Sequence, residues 1–151
     1  MTMTTTWILV AHDAGARLFE NHGPGKGLEL IEEIDHPEGR QRDRDIVSDR
    51  PGRSFRKNSG DPRRASMSSS ETPHERVVSD FARALAQRLH QGRVENRCKR
   101  LVLVAPPRFL GLLRAALDGP TAQLVAGSLD KDFASLKEAE LVERLGDVVA
   151  V

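Results

Sequence analysis

The chain has little sulfur, few aromatic rings and no long apolar stretch, and each shortage removes a class of function. One cysteine, Cys98, stands among 151 residues, so no internal disulfide forms and nothing points to an oxidising compartment. Its place just before an apolar run marks it as an inert, partly buried thiol. No segment approaches the roughly 20 apolar residues of a membrane-spanning helix. The N-terminal MTMTTTWILVAHD lacks the basic start and long apolar centre of a signal peptide. A cytoplasmic protein with no membrane partner is the expectation. No Gly-rich loop joins a strand to a helix, so no nucleotide cradle is indicated and no cofactor is expected. Ser66, Ser68, Ser69 and Ser70 lack the Gly-x-Ser-x-Gly turn that exposes a nucleophile. His12, His22, His36, His74 and His90 show no metal-ligand spacing with one another or with cysteine, and no metal is expected.

What the chain has in quantity is charge, and it is unevenly placed. The net charge is only +1, so overall charge predicts no nucleic-acid binding. From Arg40 to Arg64, however, nine Arg or Lys face four Asp. From Asp130 to Asp147 acids outnumber bases. Such asymmetry bears on partners and not on fold. At this length one domain over residues 1–151 is the default, large enough to bury a core.

Apolar runs and turn residues order the rest. Trp7 to His12 reads as a buried strand, followed by the turn Asp13-Ala14-Gly15 and a second strand through Asn21. Gly23 to Gly27 is a second turn, and Leu28 to Ile34 a third strand. Its alternation is imperfect: Leu28, Leu30 and Ile34 share a face into which Glu32 intrudes. Three strands on short turns predict an antiparallel meander. A polar segment then runs from about residue 37 to 72. Thr72-Pro73-His74-Glu75 ends it with an N-cap, a proline at the first helical position and a capping box. Val77, Val78, Phe81, Ala82, Leu85, Ala86 and Leu89 give the helix one apolar face, with Arg76, Arg83 and Arg88 on the other. Leu101 to Ala105 has the unbroken aliphatic character of a central strand. Pro106-Pro107 open a second helix, which Gly119-Pro120 stop. Gln123 to Leu129 reads as a fifth strand, and Ser135 with Glu138 as the capping box of a last helix.

The order βββαβαβα predicts an α/β fold of the ribonuclease H-like kind: a mixed five-stranded sheet with a long basic loop between strand three and the first helix. That fold raises a nuclease, which needs carboxylates converging on two cations roughly 4 Å apart. The weak candidates are Asp13, Asp130 and Asp132, although the first strand carries no acid at its centre. The Asp130-Lys131-Asp132 stretch reads more simply as a turn in which Asp caps backbone donors. The basic loop is the stronger feature. Arg50, Arg53, Arg56, Lys57, Arg63 and Arg64 offer planar or point-charge donors suited to phosphate. Phe55 alone provides a ring to stack on a base, so sequence-specific reading of RNA is not expected.

Several stretches taken in order resemble the bacterial host attachment protein family: Trp7 to Arg17, Arg50-Pro51-Gly52-Arg53-Ser54-Phe55, Phe81-Ala82-Arg83, Leu103 to Gly111, and Leu129-Asp130-Lys131-Asp132. The resemblance runs from about Trp7 to Leu145. It implies a part in attachment to host cells but no defined biochemical activity. The family is also similar in topology to the middle domain of archaeal and eukaryotic peptide-chain release factors. There the loop after strand three carries a Gly-Gly-Gln tripeptide, which this chain lacks. The resemblance therefore implies a non-enzymatic protein contacting RNA or the ribosome through its basic loop. Two other classes stay open. One is a hydrolase acting on nucleic acid or peptidyl-tRNA. The other is a protein-interaction module that presents Glu138, Glu140 and Glu143 to a protein partner.

Overall fold

The computed structural model describes residues 5–40, 72–146 and 148; the stretch from Arg50 to Arg64 lies outside them. Strands β1 (Thr6–His12), β2 (Gly15–Asn21) and β3 (Glu29–Asp35) form the expected antiparallel meander. Strands β4 (Arg100–Val104) and β5 (Val125–Leu129) add in parallel on the other side of β1. The sheet order β3-β2-β1-β4-β5 is the ribonuclease H-like arrangement the element order predicts. Helix α1 (Pro73–Val94) joins the polar segment to β4, and α2 (Pro107–Ala116) and the single turn α3 (Gly119–Ala122) join β4 to β5. Helix α4 (Glu138–Leu145) follows β5.

Both faces of the sheet are covered, which is why β1 and β4 are apolar without interruption. Trp7, Leu9, Leu18, Leu101 and Leu103 pack on one face beneath Phe81, Leu85 and Leu89 of α1 and Phe109 and Leu113 of α2. Ile8, Val10, Phe19, Val102 and Val104 pack on the other face against Leu141 and Leu145 of α4. The Thr72 cap is as expected: its side chain accepts from the Glu75 amide at 3.1 Å, and Glu75 Oε1 accepts from the Thr72 amide at 2.8 Å.

The departures have local causes. In β3 the register slips between Leu18 and Phe19, which face Glu32 and Leu30, so Ile31 is an extra, bulged residue. The bulge moves Leu28 and Leu30 to the opposite face from Ile34, contrary to the alternation in the sequence. Glu32 is no intruder, because it accepts from Arg88 of α1 at 2.6 Å. Arg88 is correspondingly not on a solvated helix face; its guanidinium also lies 5.1 Å from the centre of the Trp7 ring. The expected long loop does not begin at residue 37, since Pro37–Arg40 form a 3₁₀ turn. The fifth strand starts two residues late because Thr121 and Leu124 close α3 with a backbone bond of 3.0 Å.

The last helix starts at Glu138 rather than at Ser135. Arg17 Nη2 donates to the carbonyls of Phe133 and Ala134 at 3.0 and 3.1 Å, and Asp132 Oδ1 accepts from the Ala134 amide at 3.1 Å. These bonds hold residues 132–134 as a turn against the sheet. Glu140, not Glu138, returns to the helix start, accepting from the Lys137 amide at 2.8 Å.

Two measurements check this packing. Gly92 of α1 lies against the Trp7 indole so closely that an added Cβ would sit 2.3 Å from two ring carbons. Alanine improves helix propensity by about 1 kcal/mol, but overpacking a filled core costs about 1–3 kcal/mol. Gly92→Ala is therefore expected to lower Tm in a thermal melt, and a raised Tm would refute the contact. Cys98 is buried, donates to the Arg100 carbonyl at 3.2 Å, and has its pKa pushed up to about 11, chiefly by desolvation. Since the folded thiol holds its proton more tightly than the unfolded one, its contribution to stability is full below about pH 9 and lost as pH rises toward 11. An aromatic disulfide reagent at pH 7.5 should label Cys98 only in denaturant.

Candidate functional site

The carboxyl ends of β1, β4 and β5 all reach one edge of the sheet, where open α/β sheets place their ligand sites. A cleft of about 560 Å³ opens there. His12 and Asp13 enter it from the end of β1, Asp132 from beyond β5, His74 and Glu75 from the first turn of α1, and Arg108 from the first turn of α2. Val78, Phe109 and Leu112 give it an apolar wall. A second cleft of about 650 Å³ shares His12 and is bounded by Arg17, Glu33 and Lys137.

The polar rim is held by backbone bonds. His12 Nδ1 accepts from the Ala14 amide at 3.2 Å, so the neutral ring carries its proton on Nε2. His36 Nδ1 lies 2.7 Å from the Asp13 carbonyl, an acceptor, so that nitrogen is the donor. The His36 ring stacks on Phe81 at 4.0 Å between centroids and 3° between planes. The Asp13 carboxylate is 3.8 Å from His74 Nε2. Glu75 also pairs with Arg108, linking the first turns of α1 and α2. The Thr72 backbone amide and then Arg108 hold the Glu75 carboxyl below its ordinary pKa.

The two ends of the undescribed segment meet at this rim. At one end, Gly39 sits against the Asp13 backbone, and a Cβ there would fall 1.8 Å from the Asp13 carbonyl oxygen. At the other end, Thr72 caps the helix whose second residue, His74, approaches the Asp13 side chain. Gly39 and His74, near the two described ends, therefore both lie beside Asp13.

Of the carboxylates named from the sequence, Asp13 and Asp132 line the cleft, and Asp130 is exposed outside it. Their oxygens do not all come within 4.8 Å of one another, the spacing a shared ion would need. Asp132 accepts from the Ala134 amide, the capping role that the turn reading predicts. Arg50, Arg53, Phe55, Arg56, Lys57, Arg63 and Arg64 lie outside the described residues. Sequence reasoning did not assemble His12, His74, Glu75 and Arg108 into one site. Their signal was positional: each sits at a strand's carboxyl end or a helix's first turn, and only the sheet order brings those places together.

The pH dependence of the rim follows from Glu75. A carboxyl whose folded pKa is depressed stabilises the fold above its unfolded pKa, and that stabilisation is lost as pH falls below it. The stability difference between the native chain and Glu75→Gln should therefore be present at pH 7 and vanish as pH falls below about 4.5. Thr72→Ala should cost about 1 kcal/mol. Denaturant titrations over a pH series read both.

Comparison with known proteins agrees with this architecture. Among solved structures, an archaeal translation termination factor, aRF1, superposes with a TM-score of 0.55 at 14% identity, over 97% of this chain and 35% of that one. A second archaeal protein gives 0.51 at 15% identity with the same coverage. The chain thus spans about a third of the length of these relatives, and the likeness is one of fold. No curated protein matches it. The family model described as "Protein required for attachment to host cells" matches residues 7–145, from the second residue of β1 to the end of α4. The chain belongs to the family of proteins required for attachment to host cells.

Proposed function

We propose that the chain is a non-enzymatic RNA-binding protein, with the ribosome as its candidate assembly, and that its attachment-related role is exerted indirectly from the cytoplasm. The carrying observation is the charge of the basic segment, together with the described residues that flank it in the sequence. Six Arg or Lys against one Asp lie between Arg50 and Arg64, and the described residues Gly39 and His74, which flank that segment in the sequence, both lie beside Asp13. The likeness of fold to a translation termination factor supports the ribosome as the place to look. The missing Gly-Gly-Gln supports binding without peptidyl-tRNA hydrolysis.

Phosphate contacts release counterions, so the binding must weaken steeply with salt. Co-sedimentation with RNA and with ribosomes across a salt series tests this. Binding at low salt, lost as salt rises and lost when Arg50, Arg53, Arg56, Lys57, Arg63 and Arg64 become Ala, is the expected result. No binding at low salt, or binding indifferent to those six changes, would overturn the proposal.

A hydrolase is the second reading, favoured by the meeting of His12, Asp13, His74 and Asp132 in one cleft. Its test is hydrolysis of RNA or peptidyl-tRNA by the native chain that Asp13→Asn abolishes.

A further inference from the structure

Away from the cleft, at the opposite end of β1, the sheet places two like charges side by side. Glu20 of β2 and Glu29 of β3 are direct cross-strand partners. Like charges in that position are destabilising unless a cation lies between them. His22, just past the end of β2, points at both: its Nε2 is 3.0 Å from Glu20 Oε1 and 3.9 Å from Glu29 Oε1. Among the described residues, this is the one group of three His, Cys, Asp or Glu side chains whose donor atoms all lie within 4.8 Å of one another.

We propose that Glu20, His22 and Glu29 form a binding site for a divalent transition-metal ion, with Zn²⁺ the best fit. One imidazole and two carboxylates are a donor set such ions accept, with water completing the coordination. Bonds of about 2.0–2.1 Å at tetrahedral angles put donors roughly 3.3 Å apart, between the two separations from His22. The ion would also remove the cross-strand repulsion, matching two carboxylates with a charge of two.

The frame around the three side chains is already set. Glu20 is held by its other oxygen, which accepts from the Trp7 indole at 3.0 Å, leaving Oε1 turned to His22. Such supporting bonds orient ligands and raise affinity. The turn between β2 and β3 is fixed by buried Asn21, which donates to the Gly27 carbonyl at 2.7 Å and accepts from the Gly23 amide at 3.0 Å. That clamp holds the backbone of the turn from which His22 projects. Two cations are near. Arg88 is engaged by Glu32, and Arg97 lies over the Trp7 ring, 5.7 Å from its centre. The spacing rules for His and Cys along a sequence miss this set, because its third member comes from a neighbouring strand.

Trp7 is the single tryptophan, and it is fully buried, so collision with dissolved ions does not quench it. A paramagnetic ion seated on Glu20 would quench it from within the site. The cleft at His12 lies five residues further along β1, roughly 17 Å away at about 3.4 Å per residue, so the two places are told apart.

The experiment titrates the tag-free, chelator-washed full chain with Co²⁺ while Trp7 emission is read, then adds Zn²⁺ in competition. Saturable quenching at one ion per chain, reversed by Zn²⁺, is expected. His22→Gln and Glu29→Gln are both at exposed positions and should keep the native thermal transition while weakening binding about tenfold or more. Quenching that never saturates, or a titration curve unchanged in either variant, would overturn the site and leave only a histidine–glutamate ion pair.

Discussion

The close approach of Gly92 to the Trp7 indole is the contact that places everything else. Helix α1 has 22 residues and so is about 33 Å long, enough to cross the whole sheet. Its last turn rests on the start of β1, where only a residue without a side chain lets the indole fit beneath. Its first turn then arrives at the far end of β1, bringing His74 to Asp13 and Glu75 to Arg108. A small tilt at Gly92 would be magnified over that length, and interiors packed as tightly as this one leave little slack for it. The ring is fixed in its turn by Glu20 below and by the two guanidinium groups lying over it.

That geometry joins two ends of one strand with different chemistry. The amino end of β1 is where His22 and Glu29 approach Glu20, whose other oxygen accepts from the Trp7 indole. The carboxyl end carries the mixed-charge cleft. Both ends are built from residues that reach outward from a core whose central strands are buried on both faces. Membership of the family supports an attachment-related role, and the likeness to a termination factor is one of fold alone.

Local patterns in the sequence announced local structure well. The aliphatic run from Leu101 to Ala105 had no reading but a covered strand, and the Thr72 to Glu75 box set the start of α1. Patterns that depend on a distant partner were illegible. Glu32 looked misplaced until Arg88 crossed from the helix to meet it. The start of α4 followed Arg17, more than a hundred residues earlier, rather than the serine that suited a cap. The cleft itself has no motif, since its six ionisable residues come from four separate places in the chain. Only the order of strands puts them within reach of one another.

Gly39 packed on the Asp13 backbone and Thr72 capping the start of α1 are anchors separated by 32 residues. Closing such a span costs chain entropy that grows only with the logarithm of its length, about 0.6 kcal/mol for each doubling. Selection can thus lengthen, shorten or recharge that segment almost without consulting the core. The length of that segment is therefore only weakly coupled to the stability of the core.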